Sequence, residues 1–284
     1  MSARIIDGSA IADRILEGLK PHVKRLDPKL TIVQVGNDPA SDSYIRKKLE
    51  SCEKIGMRNQ HLHFDADIAF ETLVETIHRL NEDEDVTGYI VQLPLPGALQ
   101  DKEPLLFREI DPYKDVDGFT AYNIGKMFLS RAFEHLPPAT PAGIITLLEH
   151  EDIAIEGKCA VVVGHSNIVG KPLGAMLLNR NATLIQCHKY TKDLAHYTKQ
   201  GDILISAVGK PNLITGDMVK PGAVVIDVGM NRNDSKLVGD VDFEEVKKIA
   251  SAITPVPGGV GPMTVASLLR NCIRAKERQL ERVS

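Results

Sequence analysis

The chain lacks the features that mark several classes of protein. Its four cysteines form no Cys-x-x-Cys pair and have no metal-ligand spacing with histidine, so we expect reduced thiols, a cytoplasmic location and no metal site. No stretch approaches the ~20 apolar residues of a membrane span, and the N-terminus has no apolar run typical of a signal peptide. A net charge of −4 provides no basic excess for binding nucleic acid or a membrane surface.

The first half of the chain alternates between strand-like and helix-like segments. Residues 1–27 predict an amphipathic helix after a short extended start, and residues 30–35 predict a strand that ends in the turn Gly36-Asn-Asp-Pro39. A helix over 40–55, a weaker strand over 60–64, a helix over 68–80 and a strand over 87–93 follow. This order is typical of an α/β unit with a mainly parallel sheet.

A proline-rich break at 136–141 predicts a domain boundary, with a first domain over 1–138 and a second over 139–264. The second domain begins with a helix over 142–150. Three short apolar segments, 182–187, 202–208 and 223–228, predict central strands covered on both faces, and 252–255 is a candidate for one more. A helix over 264–282 closes the chain.

The segment from Lys158 to Gly174 predicts a buried strand, a turn and the start of a helix, where backbone N–H groups can hold a phosphate. The spacing of Gly164, Gly170 and Gly174 is not the Gly-x-Gly-x-x-Gly fingerprint, so chain reversal alone explains the turn equally well. Pro172 in the first helical turn and the strands that follow favour a Rossmann-like nucleotide unit.

The end of the next strand bears on which nucleotide binds. NAD-binding units usually place an acidic residue there to bind the ribose hydroxyls. This chain has Cys187-His188-Lys189, whose basic groups suit the 2′-phosphate of NADP. We therefore predict NADP rather than NAD, with a merely solvated Lys189 as the alternative interpretation.

One face of the helix over 40–55 carries Tyr44, Lys48 and Cys52. A partly buried lysine can have its pKa lowered toward neutrality and then transfer protons. On spacing alone, an ordinary charged surface helix is the better interpretation. Tyr-x-x-x-Lys is also the pair of short-chain dehydrogenases, but it follows the glycine-rich turn there and precedes it by more than a hundred residues here.

Three further segments combine polar groups with turn-forming residues. Gln92 lies at an apolar strand end before two prolines, and residues 111–118 put three carboxylates and a lysine into a turn. Residues 255–264 are too rich in proline and glycine for a strand or helix, so we predict a loop that exposes backbone amides or acts as a hinge.

Together, five segments resemble the bifunctional methylenetetrahydrofolate dehydrogenase/methenyltetrahydrofolate cyclohydrolase family, in that family's order and over nearly the whole chain. They are 35–41 with Tyr44 and Lys48, 91–96, 114–119, 164–172 and 255–264. The resemblance implies an α/β fold of two domains, an N-terminal substrate domain and a Rossmann-like dinucleotide domain, with a cleft between them. It also implies that the C-terminal helix, residues 265–284, packs back on the first domain.

The resemblance assigns residues to folate chemistry. It makes Lys48 the central catalytic residue, with Tyr44 beside the folate ring. Gln92 would hydrogen-bond Lys48 and keep it in a productive protonation state, and Asp117 would bind the amide and amino hydrogens of the pterin. The same cleft would be lined by Pro257, Gly258 and Gly259.

The candidate dinucleotide contacts combine this resemblance with the basic pair after the second strand. They are Thr140, Gly164, His165, Ser166, Ile168, Val169, Gly170, His188, Lys189 and Met230, the last near the adenine or ribose.

The implied reaction has two steps. The methylene bridge of the folate gives a hydride to NADP, and water then opens the resulting methenyl cation to a formyl folate, with Lys48 as the proton-transfer group. Relatives are usually homodimers. No formate-activating ligase domain and no ATP use are expected, because the chain has 284 residues and no Gly-x-x-x-x-Gly-Lys-[Ser/Thr] loop.

Two departures and two alternatives accompany this interpretation. His165 stands where many relatives have arginine, which weakens the case for a 2′-phosphate contact at neutral pH, and Glu50 replaces a basic residue that could bind the glutamate tail of folate.

The alternatives are a dehydrogenase without the cyclohydrolase step and a non-catalytic nucleotide-sensing protein. The presence of Lys48 and Gln92 argues against the first, and the full set of folate residues argues against the second.

Overall fold

The computed structural model describes residues 2–233 and 236–283, and these form two compact units. The first unit consists of Arg14–Lys126, Ala132–Ala139 and the chain from Val265 onward. The second unit consists of the residues up to Asp13, Met127–Arg131 and Thr140–Thr264. Residues 2–13, which the sequence analysis placed in the first domain, thus lie in the second unit, because strand β1 (Arg4–Ile5) pairs with that unit's last strand.

The first unit is built on a three-stranded parallel sheet in the order β3-β2-β4. Its strands are β2 (Lys29–Val35), β3 (Arg58–Phe64) and β4 (Gly88–Val91). The central strand β2 is buried from Leu30 onward, whereas β3 lies at the edge and is largely exposed. Leu73 and Ile77 pack with Val33, Tyr89 and Val91 in a fully buried core.

The helices that lie wholly or mainly in this unit include α1 (Gly8–Leu26), α2 (Pro39–Ile55), α3 (Phe70–Glu82), α4 (Glu103–Glu109) and α5 (Ala121–Leu129). Three of them, α1, α2 and α3, match predicted segments. Helix α2 shows why residues close to the helix ends were sufficient to predict such a helix. The Asp38 carboxylate accepts a hydrogen bond of 2.8 Å from the Ser41 amide, Pro39 occupies the first turn, and Gly56 ends the helix in the left-handed conformation.

The second unit contains a six-stranded parallel sheet in the order β1-β11-β8-β7-β5-β6. Besides β1 its strands are β5 (Cys159–Val163), β6 (Thr183–Cys187), β7 (Ile203–Ser206), β8 (Val224–Asp227) and β11 (Ala252–Ile253). Because β6 lies on one side of β5 and β7 on the other, the strand order reverses at β5. In sheets of this class, ligands bind outside the carboxyl ends of the strands at such a point.

The remaining elements connect these strands or close the chain. They are α6 (Ala139–His150), α7 (Gly170–Leu178), α8 (Leu194–Thr198), α9 (Phe243–Val246), α10 (Val260–Val283) and the antiparallel strands β9 (Asn231–Asn233) and β10 (Lys236–Val238). Within the residues that the structure describes, none of the helices has both the length and the apolar character needed to cross a membrane.

Two predictions about this half were wrong. Segment 182–187 is not a central strand, because among the described strands β6 pairs with β5 alone, and it leaves Thr183 exposed. Residues 255–264 are not a loop throughout, because α10 begins at Val260 and takes in Gly261 and Pro262. Both residues lie in the first turn of α10, where proline is tolerated because its missing N–H would have no helical partner.

Candidate active site

Lys48 lies on α2 and is buried, with only 6 % of its surface exposed. Its Nζ donates a hydrogen bond of 2.9 Å to Oε1 of Gln92. Gln92 follows β4, where its backbone amide donates to the Val33 carbonyl at 2.8 Å. The Gln92 Nε2 donates to the Leu93 carbonyl at 2.8 Å, and this fixes the side-chain amide so that its oxygen faces Lys48.

The electrostatic environment of Lys48 and Asp117 suits proton transfer. Burial lowers the pKa of Lys48, and the negative charge of Asp117 acts in the opposite direction. Burial raises the pKa of Asp117 to about 6, with Lys48 again opposing the shift. A lysine and a carboxyl whose pKa values are displaced toward neutrality, and which influence each other, are typical of sites that move protons.

The turn that carries Asp117 is held by its neighbour Asp115. The Asp115 carboxylate accepts hydrogen bonds from the amides of Gly118 (2.8 Å), Phe119 (3.1 Å) and Thr120 (2.8 Å). Lys114 points elsewhere, since its Nζ donates to the carbonyls of residues 80 and 83 at 2.9 and 2.6 Å. Asp115 and Lys114 are therefore occupied within the fold, whereas Asp117 interacts with Lys48.

Tyr44 and Cys52 lie one turn before and one turn after Lys48 on α2. Burial raises the pKa of the Tyr44 hydroxyl to about 12, and it raises the pKa of the Cys52 thiol to about 12 as well. Both groups therefore stay protonated at neutral pH. Glu50, on the same helix, is exposed, and the consequence expected from its charge stays a prediction.

In the second unit, the predicted nucleotide turn follows β5. Gly164 has φ +123, and a side chain there would overlap the backbone of Ala207. The Ser166 hydroxyl accepts hydrogen bonds from the amides of Val169 (3.1 Å) and Gly170 (3.3 Å) at the start of α7. Ile168, which lies between Ser166 and Val169 in the chain, is half-buried. This turn between a strand end and a helix start, here called the phosphate cradle, is the kind of segment at which dinucleotide-binding units hold phosphate, and its contact with a cofactor stays a prediction.

The basic residues predicted to select the cofactor gather at the ends of β5 and β6. The rings of His165 and His188 lie 4.9 Å apart, centroid to centroid. Lys189 is exposed, with its Nζ 4.9 Å from the centre of the Tyr190 ring. Two histidines and a lysine therefore follow the ends of the two strands where NAD-binding units place a carboxylate.

The other predicted residues also lie in the second unit. Thr140 lies in the first turn of α6, and its hydroxyl accepts a hydrogen bond of 3.1 Å from the Thr264 hydroxyl. Met230 follows β8 and is 38 % exposed. Pro257, Gly258 and Gly259 follow β11, and the Gly258 carbonyl accepts the Ser9 amide at 2.9 Å. The contact of these three residues with folate, which the resemblance implied, stays a prediction.

Two buried carboxylates in the second unit were not found from the sequence. Asp227 ends β8 and is 4 % exposed, and Asp240 follows β10 and is fully buried. Their partners lie 2–34 residues away in the chain, so periodicity could not reveal them. The only available signal was a charged residue at the end of an apolar strand, Val224–Asp227.

A parallel sheet with a phosphate cradle at its strand reversal, in a chain that also buries a lysine against Gln92 and Asp117, defines a dinucleotide-dependent enzyme that moves protons as well as hydride. Comparison with known proteins agrees with this class. Residues 6–117 match the catalytic domain of the tetrahydrofolate dehydrogenase/cyclohydrolase family, and residues 138–280 match its NAD(P)-binding domain.

Individual relatives align over almost the whole chain. A bifunctional protein FolD from Bacillus licheniformis is 49 % identical over 99 % of this chain and 100 % of its own. The Campylobacter jejuni FolD structure is 44 % identical, with a TM-score of 0.92 and coverage of 98 % and 100 %. The Trypanosoma brucei FolD structure, solved with NADP and an inhibitor, is 35 % identical, with a TM-score of 0.94 and coverage of 99 % of both chains.

The chain belongs to the tetrahydrofolate dehydrogenase/cyclohydrolase family. It is a bifunctional enzyme with the two activities for which the family is named, as the resemblance predicted.

Proposed function

We propose that this enzyme oxidises 5,10-methylenetetrahydrofolate with NADP and then hydrolyses the 5,10-methenyl product to 10-formyltetrahydrofolate, with Lys48 as the proton-transfer group. NADP, when bound, accepts the hydride that leaves the methylene carbon. The observation that carries the role of Lys48 is its buried hydrogen bond of 2.9 Å to the oriented Gln92 amide.

The hydrolytic step needs a base and then an acid at the same place. Water adds to the methenyl carbon and loses a proton, and the ring opens when one carbon–nitrogen bond breaks and that nitrogen gains a proton. Because burial lowers the pKa of Lys48, its neutral amine is more available to accept the first proton, and its ammonium form can return one to the nitrogen.

Asp117 and Tyr44 are proposed to hold the substrate. An ionised carboxylate can accept two parallel hydrogen bonds from the amide and amino hydrogens of the pterin. Asp117 suits this task because Asp115 takes up the surrounding backbone amides and leaves the neighbouring carboxylate to a ligand. Tyr44 keeps its proton at neutral pH, so it can pack beside the ring as an uncharged aromatic group.

The choice of NADP over NAD rests on His165, His188 and Lys189. The arrangement offers the ammonium group of Lys189 and the imidazole N–H groups of His165 and His188 as hydrogen-bond donors to a phosphate. The Trypanosoma brucei relative was solved with NADP. Initial rates with methylenetetrahydrofolate and either dinucleotide test this choice, and a preference for NAD would contradict it.

Lys48→Met, with Lys47→Met as the matched control, tests the reaction itself. Lys47 is the adjacent residue on α2 and is exposed, so its replacement removes the same charge from outside the site. Lys48→Met should abolish ring opening of methenyltetrahydrofolate while hydride transfer to NADP survives. Ring opening that continues unchanged in Lys48→Met would contradict the proposal that Lys48 is the proton-transfer group.

The same assays separate the remaining alternatives. An enzyme without the cyclohydrolase step would form methenyltetrahydrofolate and no formyl product, and a nucleotide sensor would bind NADP with no turnover.

We also propose a homodimer located in the cytoplasm. The outer edge of β6, which no other described strand pairs with, and the exposed Leu178 in the second unit support self-association, and four free thiols support a reducing compartment. Light scattering coupled to gel filtration measures the mass in solution, and a monomer would contradict the dimer.

A further inference from the structure

Asp240 places a fully buried carboxylate beneath the loop that follows β7. Its Oδ2 accepts hydrogen bonds from the Ser206 hydroxyl (3.1 Å) and the amides of Val208 (2.8 Å) and Gly209 (3.3 Å). Its Oδ1 accepts from the Lys210 amide (2.9 Å) and the Asn231 side chain (3.1 Å). Three consecutive backbone amides, 208–210, thus point at one side chain.

Asp240 is itself held by Asp227, the last residue of β8. The Asp227 carboxylate accepts the amides of Asp240 (2.9 Å) and Val241 (3.0 Å). A side chain at Gly239 would overlap the Asp227 carboxylate, and one at Gly229 would overlap the Asp240 carboxylate. The two glycines are therefore needed so that both carboxylates can approach the backbone closely.

The loop over 207–210 lies at the carboxyl end of β7, beside β5, where the strand order reverses. Its first residue, Ala207, lies so close to Gly164 of the phosphate cradle that no side chain fits between their backbones. Val208, Gly209 and Lys210 are exposed on their outer side, although their amides are directed inward. The loop is thus a wall of the proposed dinucleotide site.

A buried carboxylate is unfavourable unless its oxygens are fully hydrogen-bonded. All five donors that reach Asp240 are neutral, so no side-chain cation among them compensates the charge. A fully satisfied network of this kind rigidifies the groups that it joins. The rigid group here is a loop on the cofactor side of the sheet.

We propose that Asp240 is a positioning residue for the dinucleotide, because its carboxylate holds the backbone of residues 208–210 in one shape before the cofactor binds. This inference rests on the proposed placement of NADP at the strand ends. It concerns the hydride-transfer step only, since hydrolysis of methenyltetrahydrofolate consumes no dinucleotide.

Asp240→Asn in the full-length enzyme is the main test. The amide has one acceptor oxygen, so in either orientation its NH2 group faces two or more donors that the carboxylate had accepted. The KM for NADP in the dehydrogenase assay should rise roughly tenfold or more, because each unsatisfied buried donor is worth about one factor of ten. The kcat/KM for methenyltetrahydrofolate hydrolysis, measured without dinucleotide, should stay within about twofold of the wild type.

Asp202→Asn is the matched control. The Asp202 carboxylate accepts the Cys159 amide (2.9 Å) and the Lys220 ammonium (2.6 Å) in the same unit, just before β7 begins. It lies at the amino ends of β5 and β7, so its replacement should leave the KM for NADP unchanged. In the double variant Asp240→Asn with Asn231→Asp, the new side-chain amide at 240 can donate to the new carboxylate at 231, which restores this hydrogen bond with donor and acceptor exchanged. The double variant should therefore recover part of the lost NADP affinity.

The inference is overturned if Asp240→Asn leaves the KM for NADP unchanged, or if both activities fall by the same factor. If that variant does not fold, Ser206→Ala removes one donor with little change in volume, and it should raise the KM for NADP about two- to threefold. An unchanged KM in Ser206→Ala would then overturn the inference. Insensitivity of the KM for NADP to Lys189→Ala would contradict the proposed cofactor placement instead.

Discussion

Asn271 of α10 donates a hydrogen bond of 2.9 Å to the backbone carbonyl of Val116, the residue that precedes Asp117. The same side chain donates to the Pro137 carbonyl at 2.8 Å and is only 1 % exposed. The last helix of the chain therefore holds the backbone of the turn that carries Asp117.

Asn271→Leu should lower both stability and substrate affinity. It preserves volume but leaves two buried carbonyls without a donor, which costs about 1–3 kcal/mol of unfolding free energy for each. The displaced Asp117 should also raise the KM for methylenetetrahydrofolate by roughly tenfold or more. Urea unfolding and steady-state kinetics measure the two effects.

Gln279→Leu is the matched variant for this prediction. Gln279 also lies on α10, and its Nε2 donates to the carbonyls of Thr87 (2.7 Å) and Tyr113 (3.2 Å). It should lose stability without a change in the folate KM. Equal folate KM values in the two variants would show that Asn271 has no special relation to Asp117.

Gln92→Glu should shift the pH profile of the cyclohydrolase upward. A carboxylate within hydrogen-bond distance of Lys48 stabilises the ammonium form, so the pKa of Lys48 should rise. The neutral amine then exists only at higher pH, and activity at pH 7 should fall about tenfold for each pH unit by which the profile moves. The ring-opening rate measured between pH 6 and pH 10 gives the shift.

Gln92→Leu separates charge from orientation in this experiment. It removes the hydrogen bond without adding a charge, so it should reduce the rate without an upward shift of the profile. A profile for Gln92→Glu that coincides with that of Gln92→Leu would show that Lys48 is not the titrating group.

Asp117 should give substrate binding a lower pH limit near 6. Because burial raises its pKa to about 6, the carboxylate form that accepts the pterin hydrogens is present above that pH and is lost as the pH falls through it. The kcat/KM for methylenetetrahydrofolate should therefore decrease about tenfold per pH unit below 6. Asp117→Asn should have a low kcat/KM that is nearly independent of pH in this range. If the kcat/KM of this variant still falls below pH 6 as it does in the wild type, the titrating group is not Asp117.

Lys189→Ala should weaken selection of NADP. Removal of one charge near the 2′-phosphate should raise the KM for NADP about five- to thirtyfold, corresponding to the 1–2 kcal/mol of a charged hydrogen bond, and leave the KM for NAD unchanged. Lys192→Ala, which removes an exposed lysine from the same segment, is the control. His165→Arg should have the opposite effect and lower the KM for NADP, because arginine stays charged at neutral pH.

The local elements of the fold were accessible from the sequence because their signals lie within a few residues. Asp38, Pro39 and Gly56 mark both ends of α2, and the apolar run before Gly36 marks β2. The edge position of β6 was not accessible, because the five residues Thr-Leu-Ile-Gln-Cys do not by themselves show whether a strand has one neighbour or two. The strands β9 and β10 have only three residues each, which is too short to show an alternation that would predict them.

The sequence by itself determined the family, the order along the chain of the strands that form the two parallel sheets, and the identity of the candidate residues Tyr44, Lys48, Gln92 and Asp117. Only the tertiary structure decided which of the many charged groups are removed from water. Lys48 and Lys47 are adjacent and chemically identical, yet only Lys48 is buried, because α2 turns it toward Gln92 and Asp117. Asp240 likewise gains its role from amides about thirty residues earlier in the chain, which only the folded sheet brings to it.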